Sequence, residues 1–332
     1  MTVALAAAGF PEDALTAAAP APIRTLALFD RLSRKYLAWK AGGDSDEFDG
    51  AVRAPDKVSP ELANWYSSYK LHLSPSDIAS IRRRFEEAML RPGDGDFQVM
   101  SYIADLTIHR MFRHMRAGGP RIVSIGESCL PRTLSTKWGF KPSRLMGEPT
   151  MPFDLAVHAG RAVLKHLQGD FAAYLDMAGV AYREDLRYPV NEADGVFWNH
   201  EVGPEWAQDG FRKFTERYRR RVAAFREATQ AESCLFFFYS ENAHRPDLVA
   251  ALAEAISALR GGRPATLFAV NGAHPAFDES EQVVAGVTTR VLLTPRPYPE
   301  FIWFQPAHFS SAAGHIWERL LVGRLTELVD AA

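Results

Sequence analysis

The stretch RIVSIGESCLPRTLSTKWG (121–139) sets two nucleophiles, Ser128 and Cys129, side by side where an apolar run gives way to a helix start. RIVSIG reads as a buried strand. Pro131 sits in the first helical turn, where a missing N–H costs nothing, and Gly139 supplies a stop. Ligands of open parallel sheets bind outside the carboxyl ends of the strands, at such strand-to-helix links. Free N–H groups at a helix start stabilise an anion, and the helix dipole lowers the pKa of a thiol placed there. Cys129 therefore reads as a thiolate nucleophile. The backbone of the link, from Gly126 through Glu127 and Ser128 to residue 130, reads as an oxyanion hole. The competing reading leaves Cys129 as a packed core residue in a non-catalytic module that binds a sugar or nucleotide.

A thiolate needs a base, and the base needs an orienting group. Of the 10 histidines, His200 has the best context, in FWNHEV between Asn199 and Glu201. His158 follows Asp154 by four residues in PFDLAVHAG, and a helix there would let the two meet. Asp154 either caps that helix or orients the base, and Glu201 is the other candidate orienter. His109, His114 and His166 fall in amphipathic runs and read as structural, whereas His244, His274, His308 and His315 are not separable by context. No metal-ligand spacing and no glycine-rich nucleotide loop occurs, so neither a metal nor a nucleotide cofactor is expected.

These groups must be held by a framework, and 332 residues with 47% hydrophobic content suffice for one. Residues 1–22, rich in Ala and Pro, read as a disordered tail, and 41–60 as a loop. Amphipathic patterns at 23–40, 74–91 and 96–116 make 23–118 a mainly helical region. From 119 to 332 buried strands alternate with helices: RIVSIG, then SCLFFFYS (233–240), ATLFAVNG and TTRVLLTP are strands. FDLAVHAGRAVLKHL (153–167), FRKFTERYRRRVAAFREATQ (211–230), RPDLVAALAEAISALR and GHIWERLLVGRLTELVD are helices. The expected fold is α/β, a mostly parallel Rossmann-like sheet with helices on both faces after the helical segment.

A net charge of −2 gives no nucleic-acid footprint. Two cysteines make no disulfide framework, no run reaches a membrane span, and the N-terminus lacks a signal-peptide pattern. A soluble cytoplasmic protein with a small-molecule, glycan or peptide substrate is expected, and a homo-oligomer is compatible.

The motifs together are similar to a bacterial domain family described as papain-like cysteine peptidases. The resemblance rests on IVSIGESCLPRTL, PFDLAVH, VFWNHEV and YRRRVAAF and covers roughly 120–275. Its pattern is a strand ending in Gly-x-x-Cys, then Pro-Phe-Asp, an aromatic-x-His-acid motif and a helix with paired Arg. These fall on Gly126 and Cys129, on Pro152, Phe153 and Asp154, on Phe197, His200 and Glu201, and on Arg220 and Arg221. What it implies is a Cys/His pair of catalytic type, hydrolysing or transferring an acyl group through a thioester. It also resembles bacterial enzymes that acylate surface polysaccharides, for which acetyl-CoA would be a donor. Where the peptidase-like family carries an Arg after the buried strand, this chain has Tyr239-Ser240-Glu241. Separately, Gly-Glu-Ser resembles the Gly-Asp-Ser turn of a group of esterases. That would make Ser128 the nucleophile of an esterase or acetyltransferase acting on a polysaccharide or small ester. Those enzymes carry Asp-x-x-His near the C-terminus, and here Gln305 and Ala312 stand three residues before His308 and His315.

Overall fold

The structure, a computed structural model, describes residues 22–42, 74–93, 95–115, 118–142, 147–305, 308 and 311–332. The tail at 1–21 and most of the 41–60 loop lie outside the described residues. Contacts divide the chain into two compact units, and neither is one run of sequence. The first takes residues 1–118, 134–148 and 295–326; the second takes 119–133, 149–294 and 327–332. The expected single domain over 119–332 is thus shared between both units.

In the first unit α1 (Pro22–Gly42), α2 (Pro75–Met89) and α3 (Gly95–Met115) pack on one another. Ser74 caps α2 reciprocally: its Oγ accepts from the Asp77 N–H at 3.1 Å, and Asp77 Oδ2 accepts from the Ser74 N–H at 3.2 Å. A buried polar cluster crosses this unit, where Glu318 accepts from Tyr102 Oη at 2.7 Å, from Lys137 Nζ and from Trp138 Nε1.

The second unit carries the strands β1 (Arg121–Gly126), β2 (Val157–His158), β3 (Ala181–Arg183), β4 (Tyr188–Asn191), β5 (Val196–Phe197), β6 (Cys234–Ser240), β7 (Ala265–Asn271), β8 (Asp278–Val284) and β9 (Val287–Leu293). Five of them form one sheet in the order β1-β6-β7-β9-β8, and β2-β5-β4-β3 form a small antiparallel sheet. β1, β6, β7 and β9 run parallel; β8 alone is antiparallel to its neighbour. The mostly parallel α/β expectation therefore stands in that coarse form. The Rossmann-like detail is not seen in that form: β1, β6 and β7 follow in chain order, and the chain then passes to the edge as β8 and turns back, so that β9 lies between β7 and β8. β8 escaped notice because its sequence, DESEQVV, is largely exposed and lacks an apolar repeat. Its acids are instead matched from β9, with Arg290 Nε 2.8 Å from Glu279.

The helices of this unit begin with α4 (Leu130–Lys137), whose later turns belong to the first unit, and continue with α5 (Gly160–Gln168), α6 (Ala172–Leu175), α7 (Gln208–Ala228) and α8 (Pro246–Leu259). α9 (Ala312–Ala331) ends the chain. The predicted helix over 153–167 is not continuous: Pro152–Leu155 is a 3-10 turn, Val157–His158 is a strand, and only α5 is helical. α7 is regular only after Asp209, Gly210 and Phe211, which have positive φ. Beyond them Phe214, Tyr218, Val222 and Phe225 bury one stripe against a core shared with Val123, Phe236 and Leu252.

Phe236 lies in mid-β6 with no exposed surface. Phe236→Ala is expected to cost about 3–5 kcal/mol, the usual loss for a large-to-small change in a packed core, read as a lowered urea midpoint.

Candidate active site

β1 ends at Gly126 because the chain passes too close to β6 for a side chain. A Cβ there would stand 3.0 Å from Tyr239 N, 3.1 Å from Tyr239 O and 3.4 Å from Pro131 Cγ. The next amide, Glu127 N–H, donates to the Tyr239 carbonyl at 2.9 Å, so pairing with β6 runs one residue past the strand. The Glu127 carboxylate then accepts from Gly160 N–H at 2.9 Å, Ser240 Oγ at 2.5 Å and Asn242 Nδ2 at 2.6 Å. Glu127 thereby ties the link to the far ends of β6 and to the start of α5. It also lines a pocket of about 180 Å³ with Ser240, Asn242 and Asn271. Its carboxylate is a clasp for the Cys-bearing turn.

Cys129 follows, half-buried, at the start of α4. Of the expected oxyanion amides, that of Glu127 is already spent, and that of Leu130 leans on Ser128 Oγ at 3.4 Å. The amides of Ser128 and Cys129 are given to no other residue among those described. Ser128 serves as a turn residue, and no histidine bonds it among the described residues.

His200 comes from a turn that follows β5. Its Nε2 stands 4.0 Å from Cys129 Sγ. The turn is anchored on both sides. Trp198 N–H donates to Pro189 O at 3.1 Å, and its Nε1 donates to Tyr174 Oη at 3.0 Å. Glu201, with no exposed surface, is gripped by Arg217 at 2.6 Å and Arg221 at 2.8 Å, and accepts from Tyr218 Oη at 3.3 Å. The Arg217 guanidinium also stacks 4.2 Å from the Trp206 ring centroid. Glu201 thus holds the turn to α7, not the imidazole; His200 Nδ1 has no hydrogen-bond partner among the described residues.

Two further expectations are corrected by placement. Asp154 is buried in the 3-10 turn, where its Oδ2 accepts from Met151 N–H at 2.8 Å and stands 3.9 Å from Arg132 Nε. No contact with His200 or His158 is seen for it, because the chain turns extended before His158. His158 is buried with its Nε2 3.1 Å from Tyr174 Oη. Its surroundings are aromatic, with Phe153 at 4.9 Å between ring centroids. Burial pushes the His158 pKa down to about 3 and that of His166 down to about 4. Both are neutral core groups.

Three contributors escaped the sequence reading. Arg132 stands three residues after Cys129, Arg217 one turn before Arg221, and Tyr174 donates to Pro152 O at 3.2 Å while receiving Trp198 Nε1. The last pair joins the segment of Asp154 to that of His200. Only Arg217 left a usable signal, its i,i+4 spacing from Arg221.

Electrostatics reverse one expectation. Burial pushes the Cys129 thiol up, and its own amide, Arg132 and Thr133 pull the other way without overcoming it. Burial pushes His200 down, and the positive charge of Arg132 adds to that. The resting pair is therefore a neutral thiol beside a neutral imidazole. Desolvation at the link outweighs the groups that favour the thiolate, against the preformed thiolate expected from the helix start.

Compared with protein-family models, curated proteins and solved structures, the chain matches none. Among the described residues no cluster of His, Cys, Asp and Glu is arranged to hold a metal, and no helix is long and apolar enough to cross a membrane.

Two outcomes are expected. Glu201→Gln leaves Arg221 buried without its anion, which costs about 3–5 kcal/mol in urea unfolding and releases the His200 turn. As for pH, depressed histidines favour the fold above about 6.5, and that contribution is lost as pH falls from there to their folded values, below which the dependence levels off. Stability should therefore drop from about pH 6.5 to about pH 4 for His166 and to about pH 3 for His158, by up to ~1.4 kcal/mol per unit for each. His158→Phe should flatten that slope in urea midpoints taken across this range.

Proposed function

We propose that this chain is a thiol-dependent hydrolase or acyltransferase in which Cys129 is the nucleophile and His200 its base. The observation that carries the reading is the 4.0 Å separation of Cys129 Sγ and His200 Nε2, near the reach a nucleophile–base pair needs before substrate arrives. A neutral resting pair suits general-base attack. Nε2 takes the thiol proton as Sγ bonds to the substrate carbonyl carbon, and the carbonyl oxygen becomes the oxyanion. The amides of Ser128 and Cys129 are the donors for it. On collapse the bond to the leaving group breaks, that group takes the proton from Nε2, and a thioester remains on Cys129. Water, or the hydroxyl of an acceptor such as a glycan, then gives its proton to Nε2 and attacks the thioester. The thiol leaves with that proton and the pair is restored.

In this reading Glu201 and Asp154 are positioning residues. Glu201 holds the His200 turn, and Asp154 fixes the Pro152–Leu155 turn beside Arg132. An acyl donor such as acetyl-CoA belongs to the transferase branch only, and the two free thiols support a cytoplasmic site of action. The resemblance to cysteine peptidase-like and polysaccharide-acylating families points the same way, because both use a Cys/His pair.

The test is covalent labelling of the full chain by iodoacetamide, with peptides read by mass spectrometry. Cys129 should react well ahead of the buried Cys234, and Cys129→Ala should lose both that label and all turnover. His200→Ala should slow turnover by about 10²–10⁴-fold, the range for removing a positioned base. A fluorophosphonate that modifies Ser128 and leaves Cys129 untouched would overturn the assignment.

A further inference from the structure

We infer that Arg132 is the binding residue for an oxyanion, a carboxylate or a phosphate, that the substrate carries next to the bond attacked by Cys129. The inference rests on Cys129 as the reacting centre and adds the chemical class of what reaches it.

A guanidinium presents five N–H donors and stays charged, so one largely shielded from water calls for acceptors. The Arg132 side chain is only 20% exposed, yet among the described residues nothing accepts a hydrogen bond from it. The protein anion beside it, Asp154 Oδ2, stands 3.9 Å from Nε, which is outside hydrogen-bond range. That oxygen already accepts the Met151 N–H at 2.8 Å. The two buried arginines Arg221 and Arg260 of the same unit are treated differently. Arg221 is paired to Glu201 at 2.8 Å, and Arg260 donates to the carbonyls of Thr229, Ala231, Glu232 and Pro264. Those two are structural cations whose terminal guanidinium nitrogens are engaged by protein acceptors. Arg132 keeps its donors at the place where a substrate would lie.

The position is specific. Arg132 is three residues beyond Cys129 in the first turn of α4, and its charge acts on both the Cys129 sulfur and the His200 ring. The oxyanion that develops during attack lies nearest the link amides of Ser128 and Cys129. A guanidinium further along the helix suits a charge the substrate already has, and its planar fork can hold two oxygens of a carboxylate or phosphate at once. A neutral ester or amide would leave that fork unmatched.

Charged and uncharged alkylating agents test this on the whole chain without knowledge of the substrate. The ratio of iodoacetate to iodoacetamide rates at Cys129 should exceed that of a free cysteine peptide by about tenfold, the lower end of a charge-assisted hydrogen bond. Arg132→Gln should return the ratio to the peptide value, and Arg132→Lys should keep most of it. A second measurement needs no variant: acetate or inorganic phosphate should slow iodoacetamide labelling of the wild-type Cys129, and acetamide should not. Protection by acetate alone assigns a carboxylate, and by phosphate alone a phosphate. A wild-type ratio equal to that of the peptide, or no protection by either anion, would overturn the inference. The fate of the Cys/His pair is read separately. His200→Ala should slow both reagents and leave their ratio unchanged, so unaltered rates in that variant would count against the pair while the anion site stands.

Discussion

A carboxylate buried as completely as Glu201 cannot stay in a folded protein unless cations come to it, and that demand organises the site. The cations are Arg217 and Arg221, one helical turn apart on α7. α7 packs its aromatic stripe into the core that also holds Val123 and Ile125 of β1. β1 in turn delivers Cys129. The distance between Cys129 and His200 is therefore set by an ion cluster on one side and by strand pairing on the other. Neither end is free to drift. The aromatic group around Tyr174, whose hydroxyl links Trp198 to Pro152, closes the same circuit from below.

Burial supports and opposes the chemistry at once. Drawing Cys129 and His200 out of water keeps both neutral, since each would lose hydration on becoming charged. Arg132 favours the thiolate and disfavours the imidazolium, and so does not assemble a resting ion pair. The arrangement suits a thiol that gives up its proton only as a bond to carbon forms. Glu127 illustrates the same economy of placement. A carboxylate two residues before Cys129 looks like a reacting group, but Gly160 N–H, Ser240 Oγ and Asn242 Nδ2 already occupy it.

Much of the framework was legible because it follows from short-range pattern. The unbroken apolar run from Cys234 to Tyr239 demands a strand covered on both faces, and the Phe214–Phe225 stripe demands an amphipathic helix. β8 was not legible, since an exposed edge strand rich in acids has no apolar period to announce it, and its pairing comes from Arg290 across the hairpin. The helix expected through Asp154 and His158 failed for a related reason. Pro152 and a run of small and apolar residues fit a helix, but the Asp154 carboxylate turns back to Met151 N–H and the chain then joins β5 as a strand.

Residue type and local spacing by themselves determined the mostly parallel strands, the strand-to-helix link at Gly126–Cys129 and the short list of nucleophiles and bases, because these depend on neighbours in sequence. Tertiary structure alone decided which histidine meets the sulfur, across 71 positions of chain. It also decided that Glu201 answers to arginines and not to the imidazole, that His158 is a core group, and that Arg132 meets no acceptor among the described residues. Those outcomes depend on desolvation and on partners far away in sequence, and both are quantities that exist only once the chain is folded.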